Sequence, residues 1–259
     1  MNALNISLLQ ADLSWENPQE NLSYFSSQIE QINNDVDLIV LPEMFTTGFS
    51  MNASELAEEM NGTTIKWMKE VATKKDSAVI GSIIISENSA FYNRLFFVFP
   101  SGEFQYYDKK HTFTLAKEHE TYSAGKQKLL VEYKDWKICP LICYDLRFPV
   151  WGRNVEDYDL LIYVASWPEK RINAWDALLK ARAIENMSYT IGVNRVGKDG
   201  NDYAYVGHSI AFDCLGKALT KELNEDEGII SIQINKDYQE EIRNKLGFLK
   251  DRDTFTFSY

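Results

Sequence analysis

The apolar positions of the chain predict a fold that alternates strands with helices. Short runs rich in Ile, Val, Leu and Phe recur along the whole sequence, and several do not alternate with polar residues. Uninterrupted apolar runs of this length are typical of strands that are buried on both faces. The predicted strands cover residues 4–10, 37–43, 78–86, 94–100, 136–143, 159–166, 190–196, 208–213 and 228–234.

Three segments between these runs carry apolar residues at helical spacing. In the first, Leu22, Phe25 and Ile29 share one face, and Asn17 before Pro18 is typical of a helix start. The predicted helices cover residues 18–34, 63–75 and 173–188. Because no Pro/Gly/Ser-rich linker interrupts the pattern, we predict one domain over residues 1–259 of mixed α/β class.

Two similar segments of the sequence suggest where a site lies. The segment "DLIVLPE" at 37–43 is similar to "DLLIYVASWPE" at 159–169, and both are an Asp followed by a buried strand. Ligands of open α/β sheets bind where such strands end. We therefore predict that Glu43 lies near Ser166 and Trp167.

Composition and charge exclude several classes of partner. The formal net charge of −11 lacks the basic surplus that a face for nucleic acid or an acidic membrane needs. No basic, apolar leader begins the chain, and no apolar run reaches the length of a membrane span. Three cysteines are too few, and odd in number, for a disulfide framework, so we expect a cytoplasmic protein.

Two segments carry candidate acid, base and cation groups. Glu43 follows an apolar run and Pro42, so its carboxylate is expected at the mouth of a strand. It could act there as a general base, or it could cap a turn or pair with a cation. The segment "YYDKKHTFTLAKEHETYSAG" at 106–125 mixes aromatic and ionisable residues, which favours a loop that lines a cleft.

Cys143 differs from the other two cysteines because it ends an apolar run, whereas Cys139 and Cys214 have the setting of small buried hydrophobes. A nearby cation at such a strand end would lower the pKa of the Cys143 thiol and make it a nucleophile. A metal or dithiol pair with Cys139 is excluded, because four residues of extended chain separate the two side chains by ~13 Å. The histidines His111, His119 and His208 show no metal-ligand spacing either.

The segments "LPEMF", "YDKKHTF" and "CYDLRFP" together resemble the three signatures of the nitrilase superfamily of carbon–nitrogen hydrolases. The resemblance implies a triad of Glu43, Lys109 and Cys143. It also implies a further glutamate, Glu118, seven positions before Gly125. It implies a four-layer α-β-β-α sandwich of the nitrilase type, and no metal or cofactor.

The segments around Lys109 and Trp167 look most like the bacterial ω-amidase branch of that superfamily. This resemblance implies hydrolysis of the terminal primary amide of a small α-keto acid amide, of the 2-oxoglutaramate or 2-oxosuccinamate type, through a cysteine thioester. The products would be the dicarboxylic acid and ammonia. Other hydrolases of the superfamily, such as a nitrilase, a carbamoylase or a deaminated-glutathione amidase, remain alternatives. A binding protein that kept the fold is another.

Substrate contacts are predicted from the neighbours of these signatures. The backbone N–H of Tyr144 is expected to stabilise an oxyanion, as the residue after the nucleophile. Trp167, Phe45 and Phe49 are candidate pocket walls, and Arg171 is a candidate partner for a substrate carboxylate. The alternatives are core packing for the aromatic residues and a surface ion pair for the arginine.

Two further expectations concern residues outside the site. Asp145 and Arg147 are expected to hold the turn after Cys143, and Arg182 is expected to pair with Glu185 on one helix. The family commonly forms dimers through a helical face. We therefore expect a homodimer or higher homo-oligomer, with the aromatic C-terminal segment 245–259 crossing to the partner.

Overall fold

The computed structural model describes residues 2–221 and 223–257. Its strands are β1 (Ala3–Gln10), β2 (Leu38–Val40), β3 (Ala78–Glu87), β4 (Ala90–Val98), β5 (Phe104–Asp108), β6 (Val131–Tyr133), β7 (Trp136–Ile142), β8 (Leu160–Val164), β9 (Tyr189–Val193), β10 (Val196–Lys198), β11 (Ala204–Val206), β12 (Ile210–Phe212) and β13 (Gly228–Asn235). Its α-helices are α1 (Pro18–Glu30), α2 (Ala53–Leu56), α3 (Thr63–Lys75), α4 (Glu118–Thr121), α5 (Pro149–Gly152), α6 (Ile172–Asn186) and α7 (Lys236–Leu246).

Most of the described strands form two sheets. One has the strand order β13-β1-β2-β3-β4-β5, and the other has the order β12-β9-β8-β7-β6. The middle of each sheet is parallel, because β1, β2 and β3 run together in the first and β7, β8 and β9 in the second. Parallel strands end at one edge of a sheet, so the segments that follow β7 and β8 emerge on the same side of the second sheet.

The two sheets and the helices stack in four layers. Apolar side chains of both sheets, such as Val40 and Leu141, belong to one continuous core. The other face of the first sheet is covered by α1 and α3, which bury Phe25 and Met68 against it. Helix α6 covers the second sheet, where Gly192 leaves room for the ring of Trp175. The expected α-β-β-α sandwich is therefore confirmed.

The three predicted helices are present as α1, α3 and α6. The side chain of Asn17 caps the first of them by accepting a hydrogen bond from the backbone N–H of Glu20, 3.2 Å away. None of the helices in the described ranges is long and apolar enough to cross a membrane.

The apolar pattern missed helix α7 because only three of its eleven residues, Tyr238, Ile242 and Leu246, are apolar. Asn235 caps its start and Gly247, with a left-handed φ of 66°, ends it. Hydrogen bonds from its side chains connect the helix to the rest of the chain. Nε of Arg243 donates to the carbonyl of Met187 at 2.8 Å, and its Nη1 lies 3.0 Å from Oδ1 of Asp159.

The C-terminal segment packs on its own chain as far as Phe257. The ring centroid of Phe257 lies 5.0 Å from that of Trp151 in an edge-to-face arrangement. Ser258 and Tyr259, which end the segment predicted to cross to a partner, lie outside the described residues.

Candidate active site

Glu43 lies three residues beyond strand β2, at the edge where the parallel strands end. Its side chain is fully buried. The backbone N–H of Ser166 donates to Oε2 at 2.9 Å, and the Ser166 hydroxyl donates to the Glu43 carbonyl at 3.3 Å. Ser166 follows β8. The ends of β2 and β8 therefore meet, as the similarity between residues 37–43 and 159–169 predicts.

Lys109 directly follows β5, the edge strand of the first sheet. Its backbone N–H donates to the Asn93 carbonyl at 3.0 Å, and its own carbonyl accepts from the N–H of Gly125 at 2.9 Å. A Cβ at Gly125 would collide with the carbonyl oxygen of Asp108, so only glycine lets these two segments approach so closely. These contacts direct Nζ of Lys109 toward Glu43, where it lies 2.8 Å from Oε1.

Glu118 begins the short helix α4 and is fully buried. Nζ of Lys109 donates to both of its carboxylate oxygens, at 3.0 and 2.9 Å. The backbone N–H of Phe113 also donates to Oε2. A single ammonium therefore bridges the two buried carboxylates of Glu43 and Glu118.

Cys143 begins the turn that follows β7. Its φ of 43° lies in the left-handed region, which is a strained position for a residue other than glycine. The thiol lies beside the Glu43 carboxylate, which raises its pKa, and beside the backbone N–H of Ser166, which lowers it. Three distant parts of the chain thus converge on one thiol, and we call Glu43, Lys109, Glu118 and Cys143 the quartet.

Asp145 holds this turn, as predicted. Its Oδ2 accepts hydrogen bonds from the backbone N–H of Ile142 at 3.1 Å and from the hydroxyl of Tyr107 at 2.7 Å. Its Oδ1 accepts from the backbone N–H of His111 at 3.0 Å. Asp145 thereby ties the turn after Cys143 to the chain that follows Lys109.

The quartet keeps Lys109 charged although its side chain is buried. Burial alone would lower the pKa of the ammonium, but the nearby charges of Glu118 and Glu43 outweigh that effect and raise the pKa. Burial also raises the pKa of Glu118, and the charge of Lys109 opposes the rise. The groups are coupled, since each charge sets the protonation of the others.

The sequence-based expectation for the Cys143 thiol is wrong in sign. Burial and the negative charge of Glu43 raise its pKa well above the usual value, and they outweigh the lowering effect of Lys109. The resting thiol is therefore protonated, and the Glu43 carboxylate lies beside it. Cys143 is therefore not a thiolate at rest, and a base must remove its proton during the attack.

A cavity of about 550 Å³ opens over the quartet. Lys109 and Cys143 line it, whereas Glu43 and Glu118 lie behind them. Cys143 is 9% exposed, so a small molecule in the cavity can reach the sulfur. The volume is that of a site for a small organic molecule.

Four of the residues predicted to contact substrate line this cavity: Tyr144, Trp167, Arg171 and Phe49. The Trp167 ring is held in place because its Nε1–H donates to the carbonyl of Arg171 at 2.8 Å. The guanidinium carbon of Arg171 lies 5.0 Å from the ring centroid of Phe113. Lys109 Nζ lies 5.0 Å from the ring centroid of Phe49.

Phe45 does not line the cavity. Its ring packs into the core between the first sheet and its helices, with its centroid 5.5 Å from that of Phe25 and 5.8 Å from that of Trp67. Met44 has a left-handed φ of 45°, so the chain turns between Glu43 and Phe45 and sends their side chains in different directions.

Arg147 also lies elsewhere than predicted. It was expected to hold the turn after Cys143, but its side chain is exposed and lines the cavity, with its guanidinium carbon 5.0 Å from the Trp167 ring centroid. Arg182 does pair with Glu185, at 2.9 Å, as predicted. Arg182 also donates to the carbonyl of Leu146 at 2.7 Å, so the turn is supported by this more distant arginine instead.

The sequence-based prediction missed Asn93 entirely. The side chain of this residue lies in strand β4, and its Nδ2 donates to Oε1 of Glu43 at 2.8 Å and to Oε1 of Glu118 at 3.3 Å. An asparagine inside an apolar run, as in "FYNRLFFVF", is the one local signal that could have found it. A polar residue at such a position is expected to be buried and hydrogen-bonded.

Comparison with known proteins gives matches over nearly the full length of the chain. A family model described as carbon–nitrogen hydrolase matches residues 5–244. The chain is 42% identical over 257 residues to the omega-amidase YafV of Escherichia coli (strain K12), with 98% of this chain and 99% of that protein covered. It is 35% identical over 251 residues to the 2-oxoglutaramate amidase of Bacillus subtilis (strain 168), with 95% of this chain and 96% of that protein covered.

A solved structure is also similar to this chain in sequence and in fold. It is the crystal structure of a CN-hydrolase superfamily protein from Xanthomonas campestris with an arsenic adduct in its active site. The two chains are 41% identical and superpose with a TM-score of 0.97, and the match covers 100% of each. The similarity thus includes the whole fold as well as the segments that build the quartet.

Proposed function

Because the chain belongs to the carbon–nitrogen hydrolase family, we propose that it hydrolyses the terminal primary amide of a small α-keto acid amide of the 2-oxoglutaramate or 2-oxosuccinamate type. The family confirms the resemblance seen in the three sequence signatures. Amide hydrolysis follows from the family and from the amidases among its relatives. The choice of substrate is our proposal, and the names of the two amidase relatives support it.

The observation that carries the proposal is the position of the Cys143 thiol. The thiol lines the cavity beside the buried Glu43 carboxylate, and the charged Lys109 lies 2.8 Å from that carboxylate. This arrangement places a nucleophile, a base and a cation around the point where an amide carbonyl would sit.

In the proposed first half-reaction, Glu43 takes the thiol proton as the sulfur attacks the amide carbonyl carbon. The ammonium of Lys109 and the backbone N–H of Tyr144 stabilise the negative charge that forms on the carbonyl oxygen. The tetrahedral intermediate collapses as Glu43 returns the proton to the leaving nitrogen. The C–N bond breaks, ammonia departs, and the acyl group stays on Cys143 as a thioester.

In the second half-reaction, water attacks the thioester carbonyl while Glu43 accepts a proton from the water. The same two donors stabilise the second tetrahedral intermediate. The C–S bond then breaks, the thiol regains its proton, and the carboxylic acid leaves. Glu118 has no direct step in this scheme, but its bonds to Lys109 keep the ammonium charged and in place.

The substrate carboxylate is expected to bind an arginine at the cavity wall. Both Arg171 and Arg147 line the cavity beside aromatic rings. Loss of a charge-assisted contact should weaken binding more than chemistry. We expect Arg171→Ala to raise KM for 2-oxoglutaramate by about 10- to 100-fold with a small change in kcat. Steady-state ammonia release measures both constants.

Lys170→Ala is the matched control, because it removes an adjacent positive charge that does not line the cavity. A small amide without a carboxylate should show no effect of Arg171→Ala. If Arg147→Ala raises KM and Arg171→Ala does not, Arg147 holds the carboxylate and the assignment to Arg171 is wrong.

The choice of substrate is tested by a panel scored for products. We expect ammonia from α-keto acid amides at a far higher kcat/KM than from aliphatic nitriles or from the amide of a deaminated tripeptide. A carbamoylase would instead release carbon dioxide together with ammonia from N-carbamoyl compounds. A higher kcat/KM for any of these three classes would overturn the proposed substrate.

We also propose that the protein is cytoplasmic and forms a homodimer or higher homo-oligomer. Support for the first comes from its cysteines, which are all free and buried as a reducing compartment allows. Support for the second comes from two exposed apolar side chains, Ile184 on α6 (48% exposed) and Leu215 (45% exposed) in the turn whose Gly216 packs against Ile184. Size-exclusion chromatography with light scattering should give at least twice the mass of one chain, and a monomeric mass would contradict the assembly.

A further inference from the structure

Asn93 contacts three members of the quartet, although no sequence signature includes it. Its backbone carbonyl accepts the N–H of Lys109 at 3.0 Å, which fixes where the lysine leaves strand β5. Its side-chain amide donates to Glu43 at 2.8 Å and to Glu118 at 3.3 Å. Asn93 is 1% exposed, so it acts from behind the quartet and does not contact the cavity.

The orientation of the Asn93 amide follows from the charges around it. Its Oδ1 is buried and has no hydrogen-bond partner among the described residues. The opposite orientation would direct this oxygen, an acceptor, at two carboxylates. Ionised carboxylates only accept hydrogen bonds, so they need a donor there. The amide therefore turns its NH₂ group to Glu43 and Glu118 and leaves the oxygen without a bond.

A neutral donor suits this position better than a second cation would. Lys109 already supplies one positive charge to two carboxylates and a thiol. A second cation would favour the ionised forms of both carboxylates so strongly that Glu43 could no longer accept a proton. An amide instead orients the carboxylates through hydrogen bonds and leaves the net charge of the site unchanged.

We propose that Asn93 is a positioning residue, whose amide holds Glu43 and Glu118 in the orientation in which Glu43 accepts the Cys143 proton. This inference rests on the proposed role of Glu43 as the base. The charged or titratable groups that face this cluster are Lys109, Glu118, Cys143 and Tyr122, which couples to the first two and to Glu43.

The test is the pH dependence of Cys143 reactivity, because it requires no knowledge of the substrate. Wild type and Asn93→Ala are alkylated with iodoacetamide between pH 5 and 9, and mass spectrometry of the Cys143 peptide gives each rate. Loss of a donor to a carboxylate favours its protonated form. We call the part of the alkylation rate profile where the rate falls toward low pH the acid limb. It should therefore move to higher pH by about one unit. In ammonia release, kcat should fall about 10- to 100-fold with KM little changed.

Leu95→Ala is the matched control, since Leu95 is a buried core residue of the same strand that does not touch the quartet. It should lower the melting temperature and leave the acid limb where it is in wild type. An Asn93→Ala profile that coincides with that of Leu95→Ala would show a purely structural role and overturn the inference.

A second variant keeps the test decisive if Asn93→Ala does not fold. Asn93→Asp preserves the volume and replaces the donor with a third carboxylate, so the acid limb should again move up. An unmoved limb would overturn the inference. If keto acid amides release no ammonia with wild type, but the alkylation limb still moves in the variants, the proposed substrate fails and the role of Asn93 stands.

Discussion

Replacement of Cys143 by alanine is expected to lower kcat for ammonia release by roughly 10⁴-fold or more, because the variant cannot form the thioester. The side chain is small and lies at the edge of the cavity, so the fold should be kept. Ammonia release measures the loss, and circular dichroism checks the fold. Incubation of wild type with substrate at low pH, followed by intact-protein mass spectrometry, should detect the acyl adduct.

Cys214→Ala is the control for this experiment. Cys214 is buried, and burial raises its pKa to about 11, so it is not expected to react at neutral pH. This variant should retain turnover close to that of wild type. An adduct on Cys139 or Cys214, or near-normal turnover of Cys143→Ala, would refute the assignment of the nucleophile.

The substitution Lys109→Met should have the largest effect on stability. It leaves Glu43 and Glu118 buried beside one another without the cation that bridges them. Removal of one partner from a buried ion pair costs about 3–5 kcal/mol in the free energy of unfolding. Urea denaturation at pH 7 should show this loss, and turnover should fall as well because the oxyanion loses its charged donor.

The stability deficit of Lys109→Met should depend on pH in a defined direction. Burial already raises the pKa of Glu118, and loss of the opposing lysine raises it further. A carboxyl whose pKa is higher in the folded state than in the unfolded state favours folding at low pH, and this contribution is lost as pH rises through the folded pKa. The deficit relative to wild type should therefore shrink when unfolding is measured near pH 4.

Lys110→Met serves as the matched control, because it removes the same charge one residue away. Nζ of Lys110 lies 5.6 Å from the ring centroid of Trp151, outside the quartet. We expect a much smaller change in the free energy of unfolding and no shrinkage of that change at low pH. Equal deficits for the two variants would mean that Lys109 does not hold the buried carboxylates together.

The corrections for Phe45 and Cys143 arise from features of the folded chain that the local sequence does not show. Phe45 was a candidate pocket wall, with core packing as the alternative, and the left-handed backbone at Met44 turns its side chain into the core. The pKa of Cys143 was expected to fall because of a nearby cation. The folded chain buries the thiol and adds a carboxylate, and both raise the pKa.

Helix α7 and Asn93 were missed for a related reason. The periodic pattern detects a helix readily when apolar residues are frequent, whereas α7 has only three, and polar contacts such as that of Arg243 with Asp159 connect it to the fold. Asn93 follows from the register of two strands, since Arg94 in β4 lies opposite Asp108 in β5 and thereby sets Asn93 beside Lys109. Such a pairing joins residues that are distant in the chain.

By itself, the sequence determined the alternation of strands and helices and the family, and it predicted that Glu43, Lys109 and Cys143 act together. These depend on short segments whose residue types and spacing are visible locally. Only the tertiary structure decided which atoms meet around the thiol, which arginines line the cavity and which way each pKa moves. Those properties depend on burial and on distances of about 3 Å between groups that lie far apart along the chain, because hydrogen bonds and desolvation act only at such range.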